Sequence, residues 1–133
     1  MNTDLKIYGA KATVYLRHSG KIEELAKSLS KGLLLPSFVF DTKEEYPHEK
    51  FGSCEAMGFD LLLEESKSFA GFPFLIEIET EHSLNEAFDN QMYDLSFWLA
   101  RYISEICDID AFVFDLSNNS GFLFADKQVI RIQ

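Results

Sequence analysis

Basic residues are scarce in this sequence. The 12 Lys and Arg stand against 22 Asp and Glu, for a formal net charge of −10. The few cations are scattered among acids, which excludes the clustered Lys/Arg footprint of a nucleic-acid binder. Such a field repels nucleic acid and anionic membrane and attracts basic proteins. Cysteine is scarcer still: Cys54 and Cys107 lie far apart, form no Cys-x-x-Cys pair and sit in apolar company, where a thiol behaves as a small hydrophobe. Reduced thiols are expected, because the opening Met1-Asn2-Thr3-Asp4-Leu5-Lys6 lacks the basic and apolar regions of a signal peptide. No apolar run approaches the roughly 20 residues that span a bilayer. The expected location is cytoplasmic.

Motifs that carry chemistry are missing as well. The three histidines, His18, His48 and His82, form no His-x-x-x-His or His-Glu-x-x-His arrangement, and Asp108-Ile109-Asp110 stops short of a calcium loop. The seven glycines are scattered, so no phosphate cradle is present. Gly-x-Ser-x-Gly is absent. Cys54 with His48 is the one pair that resembles a nucleophile and its base, and Glu55 beside the thiol would raise its pKa, the wrong direction for a thiolate. No catalytic residue, metal ligand or cofactor is therefore expected, and the chain is not read as an enzyme.

What is there is a core. Hydrophobic residues make up 47% of the chain, including 13 phenylalanines, and 133 residues suit one domain spanning 1–133 without disulfides or metal. Leu5–Tyr8 and Thr13–Leu16, with Gly9 between them, read as two short strands or one bent strand. Ile22, Leu25, Ala26 and Leu29 fall at i, i+3, i+4 and i+7, which predicts a helix from about Lys21 to Lys31, with Gly32 and Pro36 beyond its end. Ser37–Asp41 reads as a strand, Asp41–Lys50 as a polar loop and Ser53–Gly58 as a single helical turn. Phe59–Glu64 and Phe72–Thr80 form an expected strand pair joined by Lys67–Gly71. Within it, Phe74, Ile76 and Ile78 alternate with Leu75, Glu77 and Glu79.

Ser83-Leu84-Asn85-Glu86 has the form of a capping box opening a long helix to about Cys107. Its inner stripe would be Leu84, Phe88, Met92, Leu95, Leu99, Tyr102, Ile103 and Ile106. Ala111–Leu116, Gly121–Phe124 and Gln128–Ile132 read as closing strands, with a turn at Asn118–Gly121. The expected class is α+β: a mainly antiparallel sheet of about five to seven strands, packed by one long and one shorter helix.

Two surfaces emerge as binding candidates. Paired carboxylates at Glu44-Glu45, Glu64-Glu65 and Glu77/Glu79 suit a docking surface for cations, and Asp41, Glu44, Glu45 and Glu49 surround Tyr46, an aromatic anchor in an acidic rim. Tyr93 and Phe97, with Ala100, fall opposite the main stripe of the long helix, with Trp98 at its margin. If uncovered, that face suggests a dimer or a protein partner.

A strand leads into the Ile22–Leu29 helix, Leu35-Pro36 stops it, and Phe51-Gly52-Ser53-Cys54-Glu55-Ala56-Met57-Gly58-Phe59-Asp60 stands before an acidic strand. With an aromatic-rich strand and the long helix from Ser83, this order resembles that of small bacterial immunity proteins of the contact-dependent growth inhibition and related polymorphic-toxin type. The resemblance implies a stoichiometric inhibitor that binds a cognate toxin domain, often a basic nuclease, and blocks its active site or a neighbouring surface. Toxin-binding residues vary with each toxin, so no site residue is carried over. Two other readings stand beside it: an adaptor or assembly subunit using the aromatic helix face, and a small enzyme using a carboxylate pair or Cys54.

Overall fold

Alternation of buried and exposed side chains runs through the middle of the chain and sets its architecture. The computed structural model describes residues 9–80, 93–115 and 120–132. Among them, in chain order, are β1 (Ala10–Leu16), α1 (Ile22–Leu33), β2 (Val39–Thr42), β3 (Lys50–Ala56), β4 (Phe59–Phe69) and β5 (Phe72–Thr80). After these come β6 (Tyr93–Asp94), α2 (Ser96–Cys107), β7 (Ala111–Asp115), β8 (Ser120–Ala125) and β9 (Gln128–Ile132). The strands form one sheet in the order β2-β3-β4-β5-β1-β7-β8-β9, with β6 beside β1. Every ladder is antiparallel except the two-residue pairing of β6 with β1. The α+β class holds, and the nine strands described exceed the five to seven expected.

Both helices lie on one face of the sheet. Ala12, Val14 and Leu16 of β1, Leu61 and Leu63 of β4, and Phe74, Ile76 and Ile78 of β5 point into a core shared with Leu25 and Leu29 of α1 and Leu99 and Ile103 of α2. The i, i+3, i+4, i+7 stripe of α1 is buried as its spacing requires. The helix ends at Leu34, which takes a left-handed φ of 56° while Leu35 N–H donates to the Ser30 carbonyl.

Three expectations need correction. Ser53–Gly58 is no helical turn: Lys50–Ala56 is strand β3, and Met57-Gly58, both at positive φ, make the two-residue turn into β4. Serine and glycine punctuate helices, but Gly58 here serves a hairpin whose flanking residues pair with β4. Second, Lys67–Gly71 is not all connection, since β4 continues to Phe69 through an irregularity between Glu65 and Phe69.

Third, α2 begins at Ser96. Tyr93 N–H donates to the Gly9 carbonyl and Leu95 N–H to Lys11, which ties this stretch to β1 as extended chain. The Asp94 carboxylate then accepts from the Ser96 N–H at the first turn. The inner face of α2 is Ser96, Leu99, Ala100, Ile103 and Ser104, so small residues let the helix sit close to the sheet, while Tyr102 and Ile106 face outward. The expected strand Leu5–Tyr8, the capping box at Ser83–Glu86, the stripe residues Leu84, Phe88 and Met92, and most of the turn at Asn118–Gly121 lie outside the described residues.

Candidate functional site

The face of the sheet away from the helices carries Glu55, Asp60, Glu64, Glu77 and Glu79. Because successive strand residues alternate sides, Ile76 and Ile78 pointing into the core leaves Glu77 and Glu79 on the open side. Register then fixes their neighbours. Glu55 pairs with Asp60, Asp60 with Glu79, and Glu79 with Lys11, forming one row across β3, β4, β5 and β1. The next row runs from Val39 through Ser53, Leu62 and Glu77 to Thr13. A third runs from Asp41 through Phe51, Glu64 and Leu75 to Tyr15.

Glu55, Asp60, Glu77 and Glu79 thus share a shallow concavity of about 680 Å³ with Lys11, Val39 and Leu62. Asp60 has a carboxylate directly opposite it on both neighbouring strands. Directly opposed like charges oppose sheet formation by up to about 1 kcal/mol per pair. Lys11 opposite Glu79 offsets the row at its β1 end, and the two like-charge pairs flanking Asp60 remain.

Burial is what most perturbs Glu77. It pushes the carboxyl above its ordinary range, Glu64 and Glu79 push it further, and Lys43 partly offsets them. The Lys43 ammonium stands 3.1 Å from Glu64 and 4.0 Å from Glu49, and so links the β2–β3 loop to the acidic face. Within that loop Lys43 N–H donates to the Glu49 carbonyl, and His48 N–H to Glu45. Tyr46 is 88% exposed and meets the His48 ring edge-on at 6.0 Å. Glu44 and Glu45 are exposed beside it.

Of the carboxylates singled out from the sequence, Asp41, Glu64, Glu77 and Glu79 come together on the open face, with the loop at its border. Glu65 does not join them. It pairs with Phe74 and lines a small depression on the helix side with Lys21, Glu23 and Lys50. Glu55 and Asp60 are not among the carboxylates the sequence singles out: Glu55 falls in a segment with the letters of a helical turn, and Asp60 lies within the expected strand Phe59–Glu64, where only the register reveals its acidic neighbours. The alternation that exposes Glu77 and Glu79 extends to both once β3 is recognised as a strand.

The second candidate surface is rearranged. Tyr93 sits in β6 rather than on the helix. Phe97 lies edge-on to Phe122 at 5.3 Å and to Phe124 at 4.8 Å, against β8, and is still 44% exposed. Ala100 is fully buried, while Trp98 stands outside, its ring tilted 46° to that of Tyr102 at 4.6 Å.

Cys54 points to the helix side and packs on the core, and burial pushes its thiol pKa up, away from the thiolate. His48 Nδ1 lies 3.1 Å from the Lys43 carbonyl. No group of three or more metal-ligating side chains occurs among the described residues, and no helix described is long and apolar enough to cross a membrane.

No protein-family model, curated protein or solved structure matches this chain.

Proposed function

We propose that this chain is an immunity-type binding protein that neutralises a basic toxin domain by covering its cationic site with the open acidic face of the sheet. The observation that carries the reading is the row Glu55, Asp60 and Glu79, in which like charges oppose each other directly across two ladders. Solubility needs charge, but not charge stacked where it opposes folding. A site that takes cations does need it there, and stability given up for function is a common pattern at binding surfaces.

A nuclease domain holds phosphate with Lys and Arg, and a rigid array of carboxylates spaced about 5 Å apart across strands offers those side chains charge-assisted hydrogen bonds. Val39 and Leu62 supply apolar floor among the acids, and Tyr46 stands as an anchor at the border. Complementary charge of this kind raises association rate and selectivity, and both fall with salt.

The test is co-expression with the polypeptide encoded by the adjacent upstream gene. The reading expects protection of the cells and a one-to-one complex that weakens as salt rises. Failure of both protection and binding would overturn it. A second reading, as a subunit of an assembly, is favoured by the outward Trp98, Tyr102 and Ile106 of α2.

A further inference from the structure

The helix side carries an apolar surface that the acidic face does not explain. Trp98, Tyr102 and Ile106 recur every fourth residue along α2 and are 53%, 42% and 52% exposed. Beside this ridge runs a groove of about 390 Å³, closed at its far side by Leu34 at the end of α1 and Met57 at the β3–β4 turn. Leu34 and Met57 are 90% and 97% exposed. Soluble monomers rarely leave so many large apolar side chains together in water.

We infer that a second copy of this chain covers this surface, with the α2 ridges of the two copies packed antiparallel about a two-fold axis near Tyr102. Three observations select a second copy over another occupant. The ridge is a strip running along α2, which suits shallow-angle packing of about 20° on an identical antiparallel helix. A two-fold through Tyr102 sets Trp98 against Ile106 of the other copy, large against branched.

The flanking charges are also self-complementary. Arg101 and Glu105 lie on one flank of the ridge, and their own contact is long, 3.7 Å between Arg101 Nε and Glu105 Oε1. Under that two-fold, Arg101 of each copy comes level with Glu105 of the other to within about 3 Å along the axis, from a rise of about 1.5 Å per residue. Two symmetric ion pairs then run along one flank of the apolar strip.

Finally, the charge of the whole molecule does not forbid the contact. Exposed residues of the helix layer include Lys21, Lys27, Lys31 and Arg101 against Glu24, Glu105 and Asp108, so the negative excess lies elsewhere. The acidic rows sit on the opposite side of the sheet and stay open in such a dimer. The inference therefore stands or falls independently of the proposed function.

The experiment is sedimentation equilibrium and dilution fluorescence on the full chain. Trp98 is the sole tryptophan and reports the ridge directly. The expected result is a concentration-dependent doubling of mass, with Trp98 emission shifting to the red on dilution. Arg101→Glu should weaken association about tenfold or more by setting four carboxylates together, and Arg101→Glu/Glu105→Arg should restore it. Constant monomer mass with unchanged Trp98 emission would overturn the inference. So would a dimer indifferent to both Arg101→Glu and Tyr102→Lys, or a charge-swapped variant that stays as weak as Arg101→Glu.

Discussion

Asp60 and Glu79 face each other directly across the β4–β5 ladder, and Glu55 faces Asp60 from the other side. If function keeps this row, relieving it stabilises the fold. Asp60→Lys converts both like-charge pairs to opposite-charge pairs and should raise unfolding free energy by about 1 kcal/mol. Urea denaturation measures it. A variant less stable than the parent would mean that the Asp60 carboxylate supports the β3–β4 hairpin rather than straining it.

Glu77 makes the same point through pH. Its folded pKa is raised, first by burial and then by Glu64 and Glu79. The ionised carboxylate therefore opposes folding. That penalty is absent below the ordinary value of 4.5 and grows as pH rises toward and through the folded pKa. Glu77→Gln should melt higher than the parent at pH 7, and the gain should vanish when both are melted below pH 4.5. A gain that persists unchanged in acid would assign the effect to packing instead.

The two helices meet at Gly32 and Cys107. A Cβ on Gly32 would lie far inside contact distance of Cys107 Sγ. Gly32→Ala is expected to destabilise, although alanine is intrinsically the better helix former by about 1 kcal/mol. With Cys107→Ala the obstruction is gone, and the same substitution should become neutral or stabilising. A double-mutant cycle should read a coupling of about 1–3 kcal/mol. Additive effects would place the helices further apart than the structure has them.

Much of this fold was legible where one periodicity rules a segment. Ile22, Leu25, Ala26 and Leu29 mark α1, and the Phe74, Ile76, Ile78 alternation marks β5 and its wet acidic side. Legibility failed where distant pairing decides. Ser53 to Gly58 has the letters of a capped turn, and only β4 alongside makes it a strand and a hairpin. A helical turn there hides Glu55, and without β3 alongside, Asp60 has no visible place at the centre of an acidic row. Glu64-Glu65 read as one pair, yet consecutive strand residues point to opposite faces, so Glu65 left the site. On α2 the large residues suggested the inner stripe, but Ser96, Ala100 and Ser104 lie inward because small side chains permit close approach.

The central claim is that position, and not net charge, makes the open face a binding site. The most direct test compares two variants of equal charge: Asp60→Asn/Glu77→Gln/Glu79→Gln on the face, and Glu23→Gln/Glu24→Gln/Asp108→Asn on the helix layer. Affinity for the polypeptide encoded alongside is measured for each at low and physiological salt. The account predicts that the face variant loses about tenfold or more and much of its salt dependence, while the helix variant stays within about threefold of the parent. Equal losses from the two variants would contradict it.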